Sequence, residues 1–216
     1  MRKLVFSGEH QIFVESYDRQ SYTIWNAKDG QMAATRKYIR EHYMKAQNYR
    51  CAYCRIDKKE AHGMVWDVEH ILPKSLYPAF LFEPNNLSLV CKDCNTAKGD
   101  VEVLRKPNKR LKNIPCDQQD YLIVHPHFDT YSDHFEISIV AGKRRYRTLN
   151  SDKAKFTYVN CNFFRFDHQF AEWESFDGAM VEEVSEFLDR CPADAKPAEI
   201  KRMLGHLKFG VKVDFA

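Results

Sequence analysis

No run of apolar residues in this chain approaches the ~20 needed to cross a bilayer as a helix, so a membrane span is excluded. The opening residues Met1-Arg2-Lys3-Leu4-Val5-Phe6-Ser7 hold no signal-peptide core, and the cytoplasm is the expected compartment. Internal repeats and low-complexity tracts are also missing. Charge of one sign is scarce: 33 Lys and Arg stand against 30 Asp and Glu, a net +3, so total charge does not by itself indicate a nucleic-acid partner. What is present is enough apolar and aromatic material, 44% and 13%, to build a real core in 216 residues. That length suits a single domain over 1–216.

Cysteine is the informative exception. There are seven, an odd number that fits a reducing compartment, and four fall into two C-x2-C pairs. Cys51-Ala-Tyr-Cys54 and Cys91-Lys-Asp-Cys94 can each turn two sulfurs onto one ion, and together they close a tetrahedral zinc shell. Four free buried thiols or two disulfides are the alternatives. The gap from 55 to 90 has room for a hairpin. Cys116, Cys161 and Cys191 stand alone and read as small core residues.

Between the pairs lies Asp67-Val68-Glu69-His70-Ile71-Leu72-Pro73-Lys74-Ser75, with Asn86 and Asn95 further on. Glu69 and Asn95 offer oxygen donors suited to magnesium or manganese. His70, with an ordinary pKa near 6.5, suits removal of a proton from an attacking water, in a rate that rises with pH. Residues 65–71 read as a strand, which sends Glu69 and His70 to opposite faces unless the chain bends near His70. Residues 86–90 read as a second strand. Asp93 or Asn95 is expected to cap a short helix running through Lys98, giving a β-β-α unit over 51–100.

Glu69-His70, Asn86 and Asn95, framed by the cysteine pairs, resemble the signature positions of the HNH endonucleases, the His-Me finger or ββα-metal superfamily. The resemblance implies an α+β fold with a ββα-metal core and a four-cysteine zinc knuckle. It implies that His70 is the general base, that Glu69 and Asn95 bind the catalytic Mg2+ or Mn2+, and that Asn86 fixes the inter-strand loop. Glutamate stands at position 69 where the family commonly has aspartate. His70-x3-Lys74-Ser75, Cys94-Asn95-x2-Lys98-Gly99-Asp100 and His125-Pro126-x2-Asp129-x4-His134-Phe135-Glu136 further resemble the stand-alone HNH subunits of Septu and some retron antiphage systems. Those subunits pair with an ATPase, so an ATPase partner protein is implied.

Basic residues cluster at Arg105, Lys106, Lys109, Arg110 and Lys112, and again at Lys143, Arg144, Arg145 and Arg147. Arg36, Lys37, Arg40 and Lys45 sit in an expected helix over 31–47. These clusters are candidate phosphate contacts, as are Lys74 and Lys98, although charge runs are often plain solvated faces. His125, His127, Asp129 and His134 read as loop packing rather than a second metal site. His62 and His168 read as a turn residue and a structural one. Flanks 1–50 and 101–216 are expected to serve nucleic-acid and partner contacts. Residues 1–26 read as β-rich or irregular, residues 101–120 as a basic connection, 121–160 as carrying strand-like runs, among them 121–124 and 135–140, and 169–190 and 197–207 as helical. The expected function is metal-dependent hydrolysis of phosphodiester bonds in DNA, with RNA also open. The alternative is a non-catalytic zinc-knuckle nucleic-acid-binding protein or a scaffold for the ATPase.

Overall fold

The computed structural model describes residues 1–28, 30–58, 65–140 and 143–167. The expected helices over 169–190 and 197–207, together with His62, His168 and Cys191, lie outside them. The chain divides into two compact units, Met1–Tyr131 and Ser132–Ala216. The sequence shows no boundary there because the junction falls within a short turn, Tyr131–Asp133, without a glycine- or proline-rich linker.

In the first unit, helices α1 (Gly8–Glu15) and α2 (Gly30–Ala46) precede strand β1 (Trp66–His70), strand β2 (Leu87–Cys91) and helix α3 (Lys92–Lys98). Helix α2 forms because Met32, Thr35, Ile39 and Tyr43 recur every three to four residues and bury one face. That face packs against β1 and β2, and α3 packs against the same two strands. The two strands pair antiparallel from Trp66↔Cys91 to His70↔Leu87.

A five-residue, two-stranded hairpin is marginal alone, and side chains reinforce it. Gln47 pairs with the free edge of β2: its Nε2 donates to the Leu89 carbonyl at 2.7 Å and its Oε1 accepts from the Leu89 amide at 2.8 Å. Asn86, fully buried, accepts from the Leu72 amide at 2.7 Å and donates to the Leu72 and Phe80 carbonyls at 3.2 and 3.0 Å. These bonds tie together the two ends of the long loop between the strands.

Several elements differ from expectation. Residues 8–15 are helical, not β-rich, and residues 22–26 form a 3-10 turn. Cys91, not Asp93 or Asn95, is the N-cap of α3. Tyr121 makes only an isolated bridge to Leu104 instead of starting a strand. Cys116 is exposed, because it sits in the open segment after Pro115, whereas Cys161 is buried as expected.

The second unit pairs strands β3 (Phe135–Val140) and β4 (Lys143–Thr148) antiparallel, followed by helices α4 (Asp152–Asn160) and α5 (Phe164–Asp167). Phe135, Tyr146, Tyr158, Phe163 and Phe166 form its aromatic core. Ser151 starts α4 by accepting from the Ala154 amide. Helix α4 falls in a stretch whose apolar runs read as strands.

His127 is expected to make this fold acid-sensitive. Its Nε2 donates to the Leu87 carbonyl at 2.8 Å, and burial holds its pKa down at about 4. A histidine with a depressed pKa stabilises the fold above the unfolded value near 6.5, and that contribution is lost as pH falls toward about 4. The loss should reach about 2–3 kcal/mol, allowing for partial exposure. Melting temperatures measured from pH 7 to pH 4.5 should therefore fall less in His127→Gln, which keeps a donor without the titration. Identical profiles in the two proteins would remove His127 as the cause.

Candidate functional site

The two C-x2-C turns meet at the start of α3. Cys51, Cys54, Cys91 and Cys94 are all buried, and their sulfurs lie within 4.8 Å of one another. Cys54 Sγ and Cys91 Sγ are 3.8 Å apart. A tetrahedron with zinc–sulfur bonds of ~2.3 Å has an edge of ~3.8 Å, so the spacing suits zinc. The Cys91 amide also donates to Cys51 Sγ at 3.4 Å, which steadies the sulfur cage. Burial pushes the Cys51 and Cys94 thiols well up, while hydrogen bonds from its neighbours pull Cys91 well down. Four thiolates cannot share this volume without a cation to balance them.

Strand β1 runs straight out of this cage. Its pairing is unbroken to His70↔Leu87, and the Ile71 amide donates to the Asn86 carbonyl at 2.9 Å. The strand is regular through His70, and the chain bends directly after it, at Ile71 and Leu72. Period-2 alternation puts Asp67 and Glu69 on one face of the strand and His70 on the other. An open cleft of about 450 Å³ nevertheless reaches all three, and its lining also includes Trp25, Arg36, Arg40, Lys74 and Asn95.

On the carboxylate face, Glu69 Oε1 accepts from Tyr53 Oη at 3.1 Å and pairs with Lys98 Nζ at 2.7 Å. Lys98 Nζ also donates to the His70 carbonyl at 3.1 Å. Burial pushes the Glu69 carboxyl up, and Lys98 and then Tyr53 pull it back. Lys98 is only 1% exposed, so the expected phosphate contact is corrected to an internal ion pair. It lies at the end of α3, where the helix turns inward and Gly99 takes a positive φ of 49° to leave it. Asp67 accepts from Asn95 Nδ2 at 2.8 Å and from Lys92 Nζ at 2.6 Å. With its amide nitrogen held, Asn95 has Oδ1 left to offer. Glu69 Oε2 is likewise left by the contacts of Oε1. A carboxylate and an amide oxygen are a hard donor set that fits magnesium or manganese.

On the other face, His70 Nε2 lies 3.0 Å from the Leu81 carbonyl, and the ring packs edge-on to Trp25 with centroids 4.4 Å apart. A carbonyl only accepts, so Nε2 carries the proton and Nδ1 carries the lone pair. Burial, reinforced by Lys74 and Lys98, holds the His70 pKa down at about 3. The imidazolium would be desolvated beside cations, so this site favours a neutral His70 over one that titrates near 6.5.

The cleft lining is also cationic. Arg36 and Arg40 are one helical turn apart on α2 and both belong to it. Arg36 donates to the Trp25 and Ala27 carbonyls, whereas Arg40 Nε is buried with no hydrogen-bond partner. Lys74, half-buried, joins them. Arg105, Lys106, Lys109 and Arg110 are exposed and do not line this cleft. Arg144 and Arg145, on β4, belong to the second unit. His125 and Asp129 bond to each other through the His125 amide at 2.6 Å, and the described residues contain no metal-ligand cluster of His, Cys, Asp or Glu besides the four cysteines.

Sequence reasoning did not single out Tyr53, Asp67 or the placement of Arg36 and Arg40. Asp67 carried a signal, since it sits two residues before Glu69 on a strand and must share its face. Tyr53 carried none.

Residues 51–101 match the family model described as HNH endonuclease. Over 112 residues the chain is 29% identical to the Septu protein PtuB of Bacillus thuringiensis, covering 51% of this chain and 37% of that protein. The chain thus spans little more than a third of the length of that curated relative. No solved structure matches. No described helix is long and apolar enough to cross a membrane.

Proposed function

We propose that this protein is a metal-dependent HNH endonuclease that hydrolyses phosphodiester bonds in DNA as an effector of antiphage defence. The observation that carries the reading is one cleft whose lining includes His70, Glu69 and Asn95 together with Arg36, Arg40 and Lys74. The match of residues 51–101 to the HNH family and the similarity to PtuB support it.

Each side chain has a task in this reading. Arg40 and Lys74 meet the phosphate that lies in the cleft, and Arg36 adds charge behind them. His70 Nδ1 takes the proton from a water, whose oxygen attacks phosphorus as the P–O ester bond opposite breaks. Glu69 and Asn95 hold Mg2+ or Mn2+, which when bound stabilises charge on the scissile phosphate and the leaving oxygen. Asn86 keeps the loop after His70 in place. Arg105, Lys106, Lys109 and Arg110 extend the contact to flanking phosphates, and Arg144 and Arg145 are phosphate contacts of the second unit. An ATPase partner, implied by the resemblance to Septu and retron subunits, holds the nuclease in check in the cytoplasm.

The test is plasmid DNA incubated with purified protein and Mg2+ or Mn2+, against EDTA. Nicking or linearisation that needs the ion is expected. In EDTA, binding should persist and weaken as salt rises, with a slope that flattens when Arg105, Lys106, Lys109 and Arg110 are neutralised together. Salt-dependent binding with no cleavage under any ion, alone or with its co-purified partners, would favour the non-catalytic zinc-knuckle module.

A further inference from the structure

The residue that joins the two metal-type centres is Tyr53. It lies inside the first C-x2-C turn, between Cys51 and Cys54, and it is 1% exposed. The turn is braced on both sides: the Cys51 amide donates to the Ile56 carbonyl at 3.0 Å, and the Ala52 amide to the Leu89 carbonyl at 3.0 Å. From this frame the phenol reaches across to Glu69 Oε1 at 3.1 Å. Lys98 reaches the same oxygen at 2.7 Å from the end of α3, the helix that starts at the second cysteine pair. Both holders of Glu69 Oε1 are therefore rooted in the cysteine cage.

We propose that Tyr53 is a positioning residue through which the four-cysteine knuckle sets the affinity of Glu69 for the catalytic divalent ion. This rests on the reading of Glu69 as a ligand of that ion. A carboxylate free to rotate presents either oxygen. With Oε1 held by the Tyr53 hydroxyl and the Lys98 ammonium, Oε2 is the one presented, and the rotamer is fixed before the ion arrives. Partners of this kind are worth about 10–100-fold in metal affinity when removed. The design also orders events: the knuckle must close on its own ion before the tyrosine stands where Glu69 needs it. An ion at the cleft is thus bound well only by a chain that has already loaded its structural site.

Tyr53→Phe removes the hydroxyl and keeps the ring, so it isolates the contact. Zinc per chain would be measured by native mass spectrometry, and Mn2+ affinity by the EPR signal of the free ion, without nucleic acid. Wild type, Tyr53→Phe and Glu69→Gln would be compared. The expected result is unchanged zinc and melting temperature in Tyr53→Phe, with Mn2+ bound about 10-fold more weakly. DNA cleavage by Tyr53→Phe should recover toward the wild-type rate at saturating Mn2+. Mn2+ affinity in Tyr53→Phe equal to wild type, while Glu69→Gln weakens it, would overturn the role of Tyr53 and leave Glu69 as a ligand. Equal affinity in wild type and Glu69→Gln would overturn the ligand reading itself, and Tyr53 with it. Loss of zinc or of the fold in Tyr53→Phe would make the tyrosine a purely structural part of the knuckle and also overturn the proposal.

Discussion

His70→Ala should leave zinc content and DNA binding in place and lower cleavage by about two to four orders of magnitude, the usual contribution of a positioned base. The tautomer is the reason. Nε2 is committed to the Leu81 carbonyl, so the lone pair is on Nδ1, and the pKa of about 3 keeps it there. Cleavage should accordingly show no rise across pH 5.5–7.5 from this group. A base with a depressed pKa is lost only when pH falls through the folded value. His70→Ala also strips the Leu81 carbonyl of its donor, at about 1–3 kcal/mol. His70→Gln keeps an amide donor where Nε2 stood and separates the two effects, and it should be nearly as slow as His70→Ala. Full cleavage by either well-folded variant would overturn the base assignment, whereas a rate that tracks an ordinary histidine near pH 6.5 would keep the base and overturn its depressed pKa.

The cysteine cage, the hairpin and α2 were legible because each rests on a local rule. Two C-x2-C turns, a β-prone run ending at Pro73, and a three-to-four-residue apolar spacing all predict structure without distant contacts. What failed depended on distance. Ile12-Phe13-Val14 is β-prone, yet Phe13 lies edge-on to Phe82 with centroids 5.9 Å apart, and the segment is helical. Lys98 follows the second cysteine pair and reads as a surface cation. Only the fold reveals that Glu69 waits beneath it at 2.7 Å. Tyr53 is silent for the same reason, since its partner is 16 residues away across the cage. Arg36 and Arg40 were visible as charge but not as part of the cleft lining, which depends on how α2 packs against β1. The ligand candidates could be named from their chemistry, while the residues that orient them could not.

Removing the structural ion should unfold the first unit rather than merely inactivate it. Native mass spectrometry is expected to find one zinc per chain, carried by Cys51, Cys54, Cys91 and Cys94. The sheet it supports is two strands of five residues, too small to stand alone. The elements around it all converge on the cage: α3 starts at Cys91, the first turn hangs on Leu89, and Gln47 caps the same strand edge. Structural zinc in small domains contributes about 10–16 kcal/mol of apparent folding energy, against a total stability of about 5–15 kcal/mol. Withdrawing it leaves four buried sulfurs with no ion to hold them together and nothing comparable to replace it. Cys94→Ser, or a zinc-selective chelator, should abolish the melting transition of the first unit or lower its midpoint by about 20 °C or more, at roughly 2–4 °C per kcal/mol for a chain of this size. Cys116→Ser, at an exposed position, should change neither zinc nor melting. A zinc-free protein that melts where the loaded one does would show that the four sulfurs are a packed thiol cluster, and Tyr53 and α3 would then owe their placement to the hydrophobic core alone.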